Sequence, residues 1–91
     1  MSSTPAVVVD VVYLARLREA FGRAGERLEL PYGVRTVGEL RTLLAARGPA
    51  WSAELAPGRA VRVAVNHSLA ESSDPLAAGD EVAFFPPVTG G

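Results

Sequence analysis

Cysteine is absent from this chain, and histidine occurs once, as His67. Without thiols the chain can form neither a disulfide framework nor a cysteine nucleophile. A zinc site of cysteine and histidine ligands is excluded too, because it needs several of these residues. A Ser–His pair could use only His67, which falls in a predicted turn and is expected to be solvated. The sequence therefore predicts no metal site and no thiol chemistry.

Lysine is absent as well. All nine basic residues are arginine, ten residues are acidic, and the formal net charge is −1. A nucleic-acid-binding domain of this size normally carries a basic excess, which this chain lacks. Without lysine, no side chain of the chain itself can accept an isopeptide bond.

Long hydrophobic runs are also missing. No stretch approaches the roughly 20 apolar residues that cross a bilayer. No positive charge precedes the first apolar run, and Asp10 interrupts it, so a signal peptide is not expected. We therefore expect a cytoplasmic protein that binds neither membrane nor nucleic acid.

The length of 91 residues predicts one domain with a modest core and no enclosed catalytic cavity. Apolar residues make up 48% of the chain, which favours a folded domain over disorder. We assign residues 1–86 to this single domain, with residues 1–5 as a loose N-terminal tail. Residues 87–91 are assigned to an extended functional C-terminal tail.

Apolar patterning predicts the order of the elements. Four strands are predicted, at residues 7–14, 26–30, 61–65 and 81–85. Three helices are predicted, at residues 16–21, 36–47 and 51–55. We expect the first strand to be central and buried on both faces, and the second to return antiparallel to it. This order fits an α+β fold of the β-grasp (ubiquitin-like) type, with a mixed sheet of four to five strands packed on one main helix.

The start of the main helix has the clearest local signal. Thr36 and Glu39 have the spacing of a capping box, in which each side chain bonds a backbone amide of the other residue. An apolar stripe follows, and Gly48 and Pro49 are expected to stop the helix. The stripe is formed by Val37, Leu40, Leu43 and Leu44.

The C-terminal tail carries the chemistry. Pro86 and Pro87 cannot continue a sheet ladder and favour a stiff, extended exit from the last strand. Gly90 and Gly91 form a backbone thin enough to enter a narrow channel of a partner. The α-carboxylate of Gly91 is ionised at neutral pH and a poor electrophile, so it needs activation, for example as an acyl-adenylate. Because the chain lacks a phosphate-binding G-x-x-x-x-G-K loop, an ATP-using partner must supply that step.

Strand alternation separates two aromatic residues in the last strand. Phe84 is expected in the core, and Phe85 on the outer surface as an anchor for a partner. The neighbouring carboxylates Asp80 and Glu81 are poor candidates for acid–base catalysis as a pair, and we hypothesise that they meet basic residues of a partner. Trp51 is expected to be a packing residue.

These residues resemble a known family. Residues 79–91, which end in Phe-Phe-Pro-Pro-Val-Thr-Gly-Gly, closely resemble the C-terminus of molybdopterin synthase small subunits, sulfur carriers of the ubiquitin-like β-grasp superfamily. Looser matches occur at residues 17–19 (Leu-Arg-Glu), 36–40 (Thr-Val-x-Glu-Leu), 65–66 (Val-Asn) and 75–80 (Pro-Leu-x-x-Gly-Asp).

The resemblance implies a role for Gly91. An ATP-dependent activating enzyme would adenylate its carboxylate, and a sulfur donor would convert it to a thiocarboxylate. In the large subunit of the synthase, two such sulfurs, delivered one per carrier, would convert cyclic pyranopterin monophosphate to molybdopterin. Gly90 would give access to the partner's active site. The residues implied to thread the partner's channel are Pro86, Pro87, Val88 and Thr89.

The same resemblance implies a subunit that is not catalytic alone and binds no cofactor. It would work in a heterotetramer of two small and two large subunits. Three alternatives remain open: a sulfur carrier for thiamine, cysteine or tRNA thiolation, a ubiquitin-like modifier of lysines on other proteins, and an interaction module with an inert tail.

Overall fold

The computed structural model describes residues 6–87. Within this range it contains five strands and three helices. The strands are β1 (Val8–Tyr13), β2 (Gly25–Glu29), β3 (Arg62–Val65), β4 (Ser68–Leu69) and β5 (Glu81–Phe85). The helices are α1 (Arg16–Phe21), α2 (Val37–Ala45) and α3 (Pro49–Leu55).

The strands form one mixed sheet in the order β2-β1-β5-β3-β4. β1 and β5 are parallel, whereas β1 pairs antiparallel with β2, and β3 pairs antiparallel with both β4 and β5. The last strand of the chain therefore lies in the middle of the sheet, hydrogen-bonded on both sides. The predicted α+β fold with a mixed sheet of the β-grasp type is confirmed.

β1 lies inside the sheet between β2 and β5, as predicted, but the expectation that it is buried on both faces is wrong. Val9, Val11 and Tyr13 are at most 1% exposed, but Asp10 on the other face is exposed. The helices cover only one face of the sheet, because the buried leucines of α1, α2 and α3 belong to the same core cluster as Val9, Val11 and Tyr13. β2 does return antiparallel to β1, as predicted.

Another difference comes from a segment too short to carry a periodic signal. β4 has only two residues and was not predicted. It follows a tight turn at Asn66 and His67, whose φ values of 50° and 71° both lie in the left-handed region. The predicted turn is confirmed, but its second arm is a strand because Ala64 and Val65 of β3 pair with it.

Helix α2 begins as predicted. The Glu39 backbone N–H donates to Thr36 Oγ1 at 3.2 Å, and the Thr36 N–H donates to Glu39 Oε1 at 3.0 Å, which completes the capping box. Val37, Leu40 and Leu44 are at most 2% exposed and pack into the core. The helix stops at Ala45.

Helix α3 begins at Pro49, two residues before the predicted start. A proline suits the first helical position, because its missing N–H would have no partner there. No helix within residues 6–87 is both long and apolar enough to span a membrane.

Candidate docking face and C-terminal tail

The position of β5 determines where the tail leaves the sheet. Its residue Phe84 pairs with Tyr13 of β1 and Val63 of β3. The Leu14 N–H then donates to the Phe84 carbonyl at 3.1 Å. Phe85 is the last strand residue, so the tail starts beside Leu14 from a strand held on both sides.

Phe84 and Phe85 lie on opposite faces of the sheet. The side chain of Phe84 is fully buried, and its ring stacks near Tyr13 with centroids 6.4 Å apart. Phe85 is half-buried and belongs to the face that the helices do not cover. The core position of Phe84 is confirmed, and Phe85 has the outward orientation that an anchor requires.

Strand register groups further apolar residues with Phe85. Directly paired residues share a face. One row on the outer face therefore contains Val12, Ala83, Ala64 and Leu69. In the adjacent row, the β1–β5 register continues by one residue and places Leu14 beside Phe85. We call this set the outer apolar patch. Its members are Val12, Leu14, Ala64, Leu69, Ala83 and Phe85. Leu69 is 68% exposed and Leu14 44% exposed, so the patch offers apolar surface that this chain does not cover.

Sequence reasoning missed two members of this patch. Leu14 belongs to the predicted first strand, but no local pattern indicates that it is left 44% exposed between β1 and α1. Leu69 has no periodic signal because β4 is so short. Only the continuation of the β1–β5 register and the pairing of β4 with β3 place these two residues on the outer face with Phe85.

The carboxylate of Asp80 is used inside the fold. One oxygen accepts a hydrogen bond from Asn66 Nδ2 at 2.9 Å, and the other accepts from the Ala77 N–H at 2.8 Å. Asn66 Oδ1 accepts a hydrogen bond from the Glu81 N–H at 3.0 Å, so these three hydrogen bonds together position the start of β5. Asp80 is therefore held within the fold, and the hypothesis that Asp80 and Glu81 meet basic residues of a partner stays a prediction.

Glu81 and His67 lie at the exposed end of the β3–β4 hairpin. His67 is 85% exposed, and its Nε2 is 3.7 Å from Glu81 Oε2. The expectation of a solvated turn histidine is confirmed. Nothing in this arrangement gives His67 a hydroxyl nucleophile to activate.

The main polar cluster supports packing. Tyr13 donates its hydroxyl hydrogen to Glu26 Oε2 at 2.6 Å, and Arg47 donates to both oxygens of Glu26 at 2.6 and 3.0 Å. The hydrogen bonds from Arg47 are the main cause that lowers the pKa of Glu26, and burial is the main cause that raises the pKa of Tyr13. The Tyr13 hydroxyl and the Arg47 guanidinium both donate hydrogen bonds to the Glu26 carboxylate, so this cluster is a structural one.

Trp51 is a packing residue, as predicted. Its ring stacks on Phe21 with centroids 3.9 Å apart and meets Tyr13 edge-on at 5.4 Å. The guanidinium carbon of Arg47 lies 4.7 Å from the Trp51 ring centroid, within cation–π range. The aromatic cluster therefore ties α3 to β1.

A shallow cavity beside α2 measures about 390 Å³. Its one basic side chain, Arg41, already donates to the carbonyl oxygens of Leu55, Ala56 and Arg59. No group of three or more potential metal-ligating side chains occurs in the part of the chain that the structure describes.

Several predicted site residues lie outside the described range. The predictions for Val88, Thr89, Gly90 and Gly91 concern residues beyond 87, and the predicted loose tail concerns residues 1–5. Pro86 and Pro87 are described and half-buried where the chain leaves β5. The roles of all these residues, and the division of the chain at residue 86, stay predictions.

Comparisons with known proteins agree with this fold. The family model described as "ThiS family" matches residues 11–91. A molybdopterin synthase sulfur carrier subunit of Escherichia coli (strain K12) is 40% identical over 84 residues, which cover 92% of this chain and all of that protein.

Solved structures are similar along nearly the whole chain. A putative molybdopterin converting factor, subunit 1, of Pyrococcus furiosus has a TM-score of 0.75 and 34% identity, with 90% of this chain and 99% of that chain covered. Small archaeal modifier protein 1 of Haloferax volcanii has a TM-score of 0.73 and 30% identity over the same shares of the two chains. The chain therefore belongs to the ThiS family and is a relative of molybdopterin synthase sulfur carrier subunits.

Proposed function

We propose that this chain is a sulfur carrier for molybdenum cofactor biosynthesis. The observation that carries the proposal is the family match that runs through Gly91, on a domain whose central strand leads into the tail beside an exposed apolar patch. Because the strand before the tail is hydrogen-bonded on both sides, the position at which the tail begins is fixed. The domain can therefore dock on a partner while the last residues extend away from it.

The chemistry proceeds at the carboxylate of Gly91. A carboxylate oxygen attacks the α-phosphorus of ATP on an activating enzyme, and pyrophosphate leaves, which gives an acyl-adenylate. A sulfur donor then supplies a sulfur nucleophile that displaces AMP and forms the thiocarboxylate. The chain itself needs no bound cofactor, because ATP and sulfur are supplied by these partners.

The acceptor of the sulfur is cyclic pyranopterin monophosphate in the large subunit of molybdopterin synthase. Two sulfurs are needed, and each carrier delivers one. As the resemblance to molybdopterin synthase small subunits implies, two small and two large subunits form the working heterotetramer. The outer apolar patch docks on the large subunit, with Phe85 as its anchor beside the tail. The residues that thread the channel are Pro86, Pro87, Val88, Thr89 and Gly90. We place the chain in the cytoplasm, where the activating enzyme has ATP.

An intact-mass measurement tests the proposal. The chain is incubated with the activating enzyme, ATP and a sulfide source, and its mass should rise by the exchange of one oxygen for sulfur. On addition of the large subunit and the pyranopterin precursor, that gain should disappear as molybdopterin forms. A variant that lacks Gly91 should show no gain, whereas Thr42→Ala, on the exposed side of α2, should react like the wild type.

Two results would contradict the proposal in different ways. A mass gain that persists in the presence of the large subunit and precursor would retain a sulfur carrier but assign it to thiamine, cysteine or tRNA thiolation. Absence of any gain with the cognate activating enzyme would exclude the sulfur-carrier function itself.

A second candidate function is attachment to lysines of other proteins. It is favoured by the 30% identity to a protein named small archaeal modifier protein 1. The same activated Gly91 would then react with an amine in place of a sulfur donor. Covalent adducts that survive thiol reduction and disappear when Gly91 is deleted would support this function, and their absence from cells in which the chain is activated would exclude it.

A further inference from the structure

The outer face of the sheet carries charged residues at both ends of the apolar patch. At the end where the tail leaves, Arg62 of β3 pairs directly with Phe85 of β5. Paired residues share a face, so this exposed arginine lies beside the proposed anchor. Arg62 forms no ion pair with any residue in the range 6–87.

The opposite end of the patch is acidic. Asp10 of β1 pairs directly with Glu81 of β5, and both side chains belong to the outer face. Glu29 of β2 lies on the same face at the next row outward. Arg27, which pairs with Asp10 across the strands, opposes this negative charge, and His67 beside Glu81 would do so only when protonated. With His67 neutral, three carboxylates and one guanidinium leave an acidic end.

The two ends are separated by the apolar row. Glu81 and Phe85 are four residues apart on one strand, which corresponds to roughly 13 Å at the rise of a β-strand. That separation exceeds the Debye length of about 8 Å at physiological ionic strength. The charges at each end therefore interact separately with the surface of an approaching partner. The face therefore has a direction, from Arg62 at the tail end to Asp10 and Glu81 at the other.

An apolar patch alone does not define a direction of docking. It would tolerate a partner rotated end for end, and in that pose the tail would point away from the partner's channel. Charges of opposite sign at the two ends remove this ambiguity, because the rotated pose brings like charges together.

We infer that the outer face is a polarised docking surface, on which Arg62 pairs with acidic side chains of the large subunit near its channel, and Asp10 and Glu81 pair with basic side chains farther away. This inference rests on the proposed function and adds the charge pattern of the partner. The apolar patch supplies contact area, and the charged ends orient the carrier so that its tail meets the channel. Asp80 has no part in this, because its carboxylate bonds Asn66 and Ala77.

Association kinetics with the purified large subunit test the inference. Arg62→Glu should lower the association rate constant by about tenfold at low salt, and the difference from wild type should shrink at high salt. The double variant with Asp10→Lys and Glu81→Lys should behave in the same way. Arg59→Glu is the matched control, because it makes the same change of charge away from the outer face. The carbonyl of Arg59 accepts a hydrogen bond from Arg41 of α2, on the helix side of the sheet.

The outcomes separate this inference from the proposed function. If the wild type gains sulfur and transfers it but Arg62→Glu and Arg59→Glu bind alike at every salt concentration, the inference is wrong and the function stands. If the wild type gains no sulfur, the function itself fails. A dimer of the chain that Arg62→Glu dissociates, with unchanged affinity for the large subunit, would overturn the inference in favour of a second copy as occupant. Equal thermal unfolding midpoints would show that the variants are folded.

Discussion

The hydroxyl of Tyr13 and the carboxylate of Glu26 are joined by a hydrogen bond of 2.6 Å, although the two residues belong to different strands. Arg47 holds both oxygens of the same carboxylate from the segment between α2 and α3. The Glu26 carboxylate therefore connects β1 and β2 to the segment between α2 and α3. The rings of Phe21 and Trp51 complete the cluster by packing edge-on against the ring of Tyr13.

We expect Glu26→Ala to be among the more destabilising changes at a partly exposed position. It removes the acceptor of both Tyr13 and Arg47, and leaving such groups unpaired lowers the free energy of unfolding by about 1–3 kcal/mol. Glu29→Ala, an exposed change on the same strand, should have a much smaller effect. Urea unfolding of both variants measures the difference. Equal unfolding midpoints would show that the cluster contributes nothing to stability.

Stability should fall in acid partly because of Glu26. The hydrogen bonds from Arg47 hold the pKa of Glu26 below its ordinary value of 4.5 in the folded state. As the pH falls below 4.5, the unfolded chain therefore takes up the proton first, and the stabilisation from this group is lost as the pH passes through its folded pKa. The free energy of unfolding, measured from neutral pH into the acid range, should fall less steeply for Glu26→Gln than for the wild type. Parallel curves would contradict this assignment.

The capping box at the start of α2 should be measurable through Thr36. Thr36→Ala removes the acceptor for the Glu39 N–H and should cost about 1 kcal/mol of stability, whereas Thr36→Ser should retain most of it. Thr42→Ala is the matched control, because its hydroxyl bonds a carbonyl within the same helix and its side chain is exposed. Thermal or urea unfolding distinguishes the variants. A loss of equal size at Thr42 would mean that the cap has no special role.

The two phenylalanines of β5 should separate folding from docking. Phe84→Ala empties a fully buried site and should lower the free energy of unfolding by about 3–5 kcal/mol. Phe85→Ala should change stability much less but weaken binding to the large subunit by about tenfold or more, as expected of an aromatic anchor. Unfolding and binding measurements on the same preparations test both effects. Unchanged affinity for Phe85→Ala would exclude the anchor role.

Signals within a few residues of one another were read correctly from the sequence. The capping box depends on the spacing of Thr36 and Glu39 and on a backbone that any helix supplies, so it needs no tertiary contact. Alternation in β5 separated Phe84 from Phe85, because successive side chains of a strand always point to opposite faces. The roles of the Gly90-Gly91 ending and the Pro86-Pro87 exit also follow from local sequence alone, and they stay predictions.

Contacts between distant segments were decided by the tertiary structure. The helices cover one face of β1 and leave the other open, which no pattern within residues 7–14 could indicate. Leu14 and Leu69 share the outer face with Phe85 only through strand pairing, and the carboxylate of Asp80 is bonded by Asn66 from another strand end. Local periodicity records the conformation of a segment, whereas the exposure of a side chain and the partner of a charge depend on which segments the sheet brings together. For this chain, the sequence by itself determined every element of the fold except β4 and supplied the proposed reactive end, and the assembled sheet decided which apolar and charged side chains share the outer face.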